Sequence, residues 1–413
     1  MGKPILPLPK ERLSLPHRVS CFLQLWLLKS LASLYFLYLR LFHPPKPGTQ
    51  PTLTKRYACR PTLETRIFYP RSYSPAQRKL LPLYLNIHGG GFVLCDATVD
   101  DPFCSAWANR TGMLVVSLDY RKAPHHPFPT ASFDVAELAK CVLTDNSLPI
   151  DHTRIAIGGF SAGGNLALSA SQFPGLRGLI KAAVIYYPIV DFGHPPNEKL
   201  NSRPYKDGPR ESLQNTSWWI DWGYVRVGQN RRDPLLSPLY ARKDELPPWI
   251  YMIGAQWDML RLETQQMIHG LAGLEDRVGV EQEEDFEVGR YKWTLAKGCP
   301  HGFTHESPGR KKGGNTELPF NTDAVEISLK VKTIFRALLK DHEGNKRSST
   351  LDLDEHLENE EANGSFSFFS GGLPYFAADL VNPGNRGRPY GTNVNLAERM
   401  IDSNGRLGVQ YDY

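Results

Sequence analysis

Between residues 65 and 300, short apolar runs of strand length alternate with longer stretches of helical period. The strand-length runs are Thr65–Tyr69, Leu81–Ile87, Met113–Leu118, Arg154–Gly158, Ala182–Tyr187, Trp249–Ile253 and Tyr291–Leu295. The helical stretches are Asp101–Arg110, Thr130–Leu143, Gly163–Gln172, Arg261–Leu271 and Thr322–Leu339. Most strand runs are apolar at consecutive rather than alternate positions, so both of their faces are expected to be buried. With a helix between one strand and the next, the pattern predicts α/β architecture: a mostly parallel central sheet with helices on both faces. Residues 192–246 break the rhythm with prolines, charges and the aromatics Trp218, Trp219, Trp222 and Tyr224. They read as an insertion that forms a helical lid or cap; an extra packing layer with no substrate role is the alternative.

The two ends depart from this pattern. Residues 20–42 are rich in leucine and aromatics, interrupted by Lys29 and closed by Arg40. No charge-free run reaches membrane-spanning length. Arg18, Lys29 and Arg40 recur at about three helical turns, which puts them on nearly one side of a helix. Three readings of region 1–45 stay open: a helix lying in a membrane surface through residues 18–42, a signal anchor with its basic N-terminus retained in the cytosol, or a cap helix over the site. A cleavable signal peptide is not expected. Residues 44–54 read as a linker, and the catalytic domain is expected over 46–340. After Lys340 an acidic run and Gly/Asn/Ser-rich stretches replace apolar periodicity, so 341–413 reads as a mostly disordered tail.

Composition narrows the classes of function. A net charge of +5 over 413 residues, with no basic stripe, argues against nucleic-acid binding. The six cysteines at 21, 59, 95, 104, 141 and 299 form no C-x-x-C pair. They read as scattered reduced thiols, and zinc-ligand spacing is absent, so neither metal nor cofactor is expected. Asn109, Asn215 and Asn363 head N-x-[ST] sequons, which matter only if the domain faces a lumen. Location is expected to be intracellular, in the cytoplasm or at the endoplasmic-reticulum membrane. Oligomeric state is not encoded in any pattern found.

Two short runs carry chemistry. Gly159-Phe160-Ser161-Ala162-Gly163-Gly164 places a serine on a tight strand-to-helix turn, where flanking glycines avoid collisions that larger side chains would make. His88-Gly89-Gly90-Gly91-Phe92 supplies backbone N–H groups without side-chain bulk, as an anionic tetrahedral intermediate requires. The expected oxyanion donors are Gly90, Gly91 and Ala162, with His88 and Gly89 supporting the loop. The serine needs a base and an orienting acid on loops after later strands. Asp258 stands just past the run Trp249–Ile253, and His301 just past Tyr291–Leu295. Asp258 is therefore the expected acid, with a surface or helix-capping aspartate as its alternative, and His301 the expected base, with His305 and His269 as rivals. The mechanism expected from these residues is acyl transfer from an ester through an acyl-serine.

With these residues assembled, the chain resembles the hormone-sensitive lipase-like family of α/β-hydrolases, which includes arylacetamide-deacetylase-like esterases. The likeness rests on His88–Phe92, Asp119-Tyr120-Arg121-Lys122-Ala123-Pro124 with Pro127-Phe128-Pro129, and Ser161-Ala162-Gly163-Gly164-Asn165. Asp233-Pro234, Ser237-Pro238, Asp258 and His301-Gly302-Phe303 complete it, over residues 80 to 340. The resemblance implies the α/β-hydrolase fold and cofactor-free hydrolysis of a small hydrophobic ester. It also implies a cap made of the N-terminal segment and the 192–246 insertion. Three positions depart from the family pattern: Phe160 stands where an acid is usual, His125 where glutamate is frequent, and Arg261-Leu262 where a second aspartate often lies. Phe92 and the three tryptophans predict an apolar pocket. A lactonase, deacetylase or acyltransferase would use the same acyl-enzyme. A non-catalytic binding protein on this scaffold is the reading from another class, and it would be expected to lack a triad member.

Overall fold

The computed structural model describes residues 14–42, 48–77, 79–203, 205, 209, 211–274 and 285–305, and the backbone of two further strands. Its centre is a nine-stranded sheet. In chain order the strands are β1 (Leu53–Lys55), β2 (Thr65–Phe68), β3 (Leu81–Ile87), β4 (Leu114–Leu118), β5 (Ile150–Phe160), β6 (Ile180–Tyr186), β7 (Trp249–Trp257), β8 (Phe286–Val288) and β9 (Tyr291–Pro300). In space they run β1-β2-β4-β3-β5-β6-β7-β9-β8. Pairings from β4 to β9 are parallel; β1, β2 and β8 join antiparallel at the edges.

Strand alternation sorts the core into two layers. Leu83, Leu85 and Ile87 of β3 pack with apolar residues of α3 (Thr130–Leu143) and α4 (Ala162–Ser171). Tyr84 points the other way, with Trp107 and Cys104 of α2 (Asp101–Thr111). All five residues of β4 are buried, as a central strand covered on both faces requires. Helix α7 (Arg261–Ala272) adds Met267 and Ile268 to the first layer. The helix expected over 322–339 lies outside the described residues.

Several elements differ from the sequence expectation in extent. β1 begins inside the expected linker, and β8 was not expected; each is a three-residue edge strand too short to show periodicity. β5 starts four residues early because Ile150 pairs with Leu81, and its polar stretch Asp151–Arg154 leaves the sheet's covered zone. The insertion holds two short helices, α5 (Pro196–Ser202) and α6 (Ser217–Tyr224). Of the expected tail, the described part is an antiparallel pair, β10 (Phe376–Leu380) with β11 (Tyr390–Val394); the rest lies outside the described residues.

The N-terminal helix α1 (Leu15–Phe42) docks by a narrow contact. Leu25 is its one fully buried side chain and packs against Gly223 of α6. Burying a leucine contributes about 1.5–3 kcal/mol. Lys29 Nζ donates to the carbonyls of Val93 (2.8 Å) and Ala123 (2.9 Å). The Trp26 ring meets the edge of His125, the family-atypical residue, at 5.3 Å. Around the rest of its girth α1 exposes Leu23, Leu27, Leu31, Leu34 and Leu41. It is the one helix among the described residues long and apolar enough to cross a membrane.

Candidate active site

Ser161 stands between the end of β5 and the start of α4, at φ +52° and ψ −116°. A non-glycine residue adopts that backbone at a cost of about 1–3 kcal/mol, and the surroundings over-determine it. Ser161 N–H donates to the Tyr186 carbonyl at 2.9 Å. A side chain at Gly159 or Gly163 would run into the Ile87 carbonyl oxygen. The turn thus exists because two glycines let α4 pass against the end of β3.

His301 and Asp258 follow β9 and β7, the strands on the far side of β6, so parallel neighbours deliver all three groups to the same sheet edge. His301 Nε2 lies 2.9 Å from Ser161 Oγ, and its Nδ1 lies 2.8 Å from Asp258 Oδ2. With Nδ1–H donating to the carboxylate, Nε2 is free to accept the serine proton. The other carboxylate oxygen, Oδ1, accepts the Leu260 N–H at 2.9 Å. Burial opposes charging of His301, but the Asp258 charge and hydrogen bond outweigh it and hold the imidazole above its ordinary range. The rivals are engaged elsewhere. His305 Nε2 meets buried Asp100 at 2.8 Å, and His269 Nδ1 is 2.7 Å from the Gln265 carbonyl.

The glycine loop faces the serine. Gly90 has φ +108°, and a Cβ there would sit 2.5 Å from the Leu94 carbonyl; a Cβ on Gly91 would strike Ile220 of α6 at 2.7 Å. Val93 and Leu94 N–H close the turn onto the Gly90 carbonyl. Ala162 is buried at the first position of α4, where helix geometry leaves its N–H without an intrahelical partner. His88 is fully buried under the loop, stacked on Tyr120 at 4.5 Å. Its Nε2 reaches Asp119 at 3.0 Å and its Nδ1 the Gly89 carbonyl at 2.6 Å. Burial would raise the Asp119 carboxyl, yet His88 and Lys122 bring it down to about 2. The Asp119 carboxylate thus fixes the His88 ring, whose other nitrogen meets the glycine loop at the Gly89 carbonyl.

Several polar groups around the site carry no sequence motif. Glu211 of the insertion is buried and accepts the Met259 N–H at 2.8 Å, and Tyr205 also donates to it. It clamps the loop that carries Asp258, where Arg261-Leu262 supplies no second aspartate. Glu263 accepts from Val190 N–H (2.8 Å) and pairs with Lys199 at 2.6 Å. Burial drives its carboxyl up to about 7. Phe160 fills the usual acid position with an aromatic cluster: Tyr186 stacks on it, and Phe103 and His305 meet it edge-on. Spacing alone could not reveal the Glu211 and Glu263 contacts, because Met259, Val190 and Lys199 lie far from them in sequence.

A cavity of about 1090 Å³ opens over Ser161, His301 and Gly89 to Gly91. Phe92 and Phe192 line it, as do Leu28, Tyr35, Phe36 and Leu39 of α1. The tryptophans do not line it, contrary to expectation. Helical spacing turns Ser217, Ile220 and Asp221 of α6 toward the cavity, so Trp218, Trp219 and Trp222 face other ways. Among the described residues, no group of three or more His, Cys, Asp or Glu is arranged to hold a metal ion.

Comparison with known proteins agrees with this architecture. Residues 84–288 match the alpha/beta hydrolase fold. An alpha/beta hydrolase superfamily protein of Schizosaccharomyces pombe is 36% identical over 273 residues, 60% of this chain and 71% of that one. An arylesterase of Saccharolobus solfataricus is 32% identical over 196 residues, 46% of this chain and 62% of the relative, so the match spans less than two thirds of that enzyme. Among solved structures, the hyperthermophilic esterase of the archaeon Pyrobaculum calidifontis aligns with a TM-score of 0.57 at 26% identity, covering 79% of this chain and all of that one. The chain belongs to the hormone-sensitive lipase-like family of α/β-hydrolases.

Proposed function

We propose that the protein is a serine carboxylic ester hydrolase that acts on hydrophobic esters through an acyl-enzyme. The observation that carries this reading is the unbroken hydrogen-bonded line Ser161–His301–Asp258, set beside a glycine loop at the floor of a largely apolar cavity. His301 takes the Ser161 proton as Oγ attacks the ester carbonyl, and Asp258 keeps the imidazole in the accepting tautomer and stabilises its charged form. The N–H groups of Gly90, Gly91 and Ala162 receive the developing oxyanion, at roughly 3 kcal/mol each in a water-poor site. The alcohol leaves with the proton from His301; water then repeats the attack on the acyl-serine with His301 as base, releasing the acid.

The esterase names of the archaeal relatives support ester hydrolysis as the reaction. The cap in this reading combines α1 with the 192–246 insertion. Helix α1 then serves two ends: its docked face walls the cavity, and its exposed leucines lie in a membrane surface. A membrane-spanning reading is disfavoured because Leu25, Trp26 and Lys29, at mid-helix, contact the catalytic domain. A fluorophosphonate probe tests the reading: folded protein is expected to label at Ser161 and the Ser161→Ala variant not at all. Unlabelled wild type that hydrolyses no ester would overturn it.

A further inference from the structure

Two cysteines 82 residues apart in sequence meet where the segment leading from α1 into the sheet lies on α3. Cys59 belongs to the turn between β1 and β2, and Cys141 to the last turn of α3. Both are half-buried free thiols, and their Sγ atoms lie 2.7 Å apart. That is closer than the roughly 3.5–4 Å that unbonded carbons keep, and sulfur is the larger atom. The approach is held from both sides. Lys55 and Tyr57 donate to Asp145 just beyond α3, and Arg60 donates to buried Asp134 within it. The gap that remains to a disulfide bond of about 2.05 Å is well under 1 Å.

We propose that Cys59 and Cys141 form a disulfide site, which closes when the chain meets a disulfide donor such as oxidised glutathione. One cysteine thiolate attacks the donor, giving a mixed disulfide and releasing one glutathione thiolate. The second cysteine attacks the protein-bound sulfur and releases the other glutathione. Two electrons pass to the donor, which leaves as two reduced glutathiones carrying the two protons. Burial and the adjacent Cys141 sulfur hold the Cys59 thiol above its ordinary range, so closure speeds up as pH rises. The bond would pin the β1–β2 turn to α3 and, with it, the strand that follows the α1 linker.

The test equilibrates the full chain with oxidised glutathione, quenches in acid, alkylates, and maps peptides without reduction. A peptide joining Cys59 to Cys141 is expected, together with a Tm several degrees above that of the reduced protein. Both features should vanish in Cys59→Ser and in Cys141→Ser, with hydrolysis of a short p-nitrophenyl ester reporting that each variant is folded. The wild-type map decides even if a variant does not fold. Quantitative alkylation of both cysteines after that treatment, or pairing of either with another cysteine, overturns the proposal.

Discussion

The strained backbone of Ser161 and its proposed reactivity have a common cause, since the positive φ that lifts Oγ toward His301 exists only while Gly159 and Gly163 stay bare. Gly163→Ala is therefore expected to lower unfolding stability by about 3 kcal/mol or more, measured by denaturant titration, because the displaced atoms are backbone. Ser161→Ala, by contrast, should keep the fold and lose about 10⁴-fold or more in kcat. For His301 the sign follows from its proposed role as the base. Only the neutral imidazole accepts the serine proton, so kcat/KM should rise with pH through a midpoint above the ordinary histidine value of about 6.5. Removing the carboxylate charge in Asp258→Asn should move that midpoint to lower pH and cut kcat by about 10⁴-fold. A profile that stays put in this variant would mean that another group sets the acid limb. These residues were legible in the sequence because each sits at a strand end beside small or turn-forming neighbours. Glu211 and Asp100 were not, since a buried carboxylate that clamps a remote loop has no local spacing to betray it.

Among the elements, continuous apolar runs marked the seven strands from β2 to β7 and β9, and the helices between them, because a central strand must hide both faces. What escaped was short or locally neutral: the edge strands β1 and β8, and helices α5 and α6, whose few turns are stabilised by packing rather than by pattern. The orientation of α6 was misjudged for a related reason. Three tryptophans draw the eye, but its cavity-facing line runs through Ser217, Ile220 and Asp221. Leu25 is the buried apolar anchor of helix α1. Leu25→Asp is expected to undock it, raising KM for long-chain esters several-fold while leaving hydrolysis of a short acetate ester near wild type. Equal effects on both substrates would show that α1 supports the fold and not the cavity wall.

At the scale of the whole molecule, the cavity joins Ser161 and His301 to a helix that exposes several leucines, so under the proposed membrane contact an ester would enter from the lipid surface alongside α1. Liposome flotation checks this: the full chain should float with vesicles, and a variant carrying Leu23→Gln, Leu27→Gln and Leu31→Gln should stay in the soluble fraction while hydrolysing soluble esters normally. The covalent step is tested by acid-quenching the enzyme during turnover of a slowly deacylated ester and mapping the adduct by mass spectrometry. An acyl group on Ser161 is expected. Hydrolysis that proceeds with no adduct, or that continues near wild-type rate in Ser161→Ala, would contradict it.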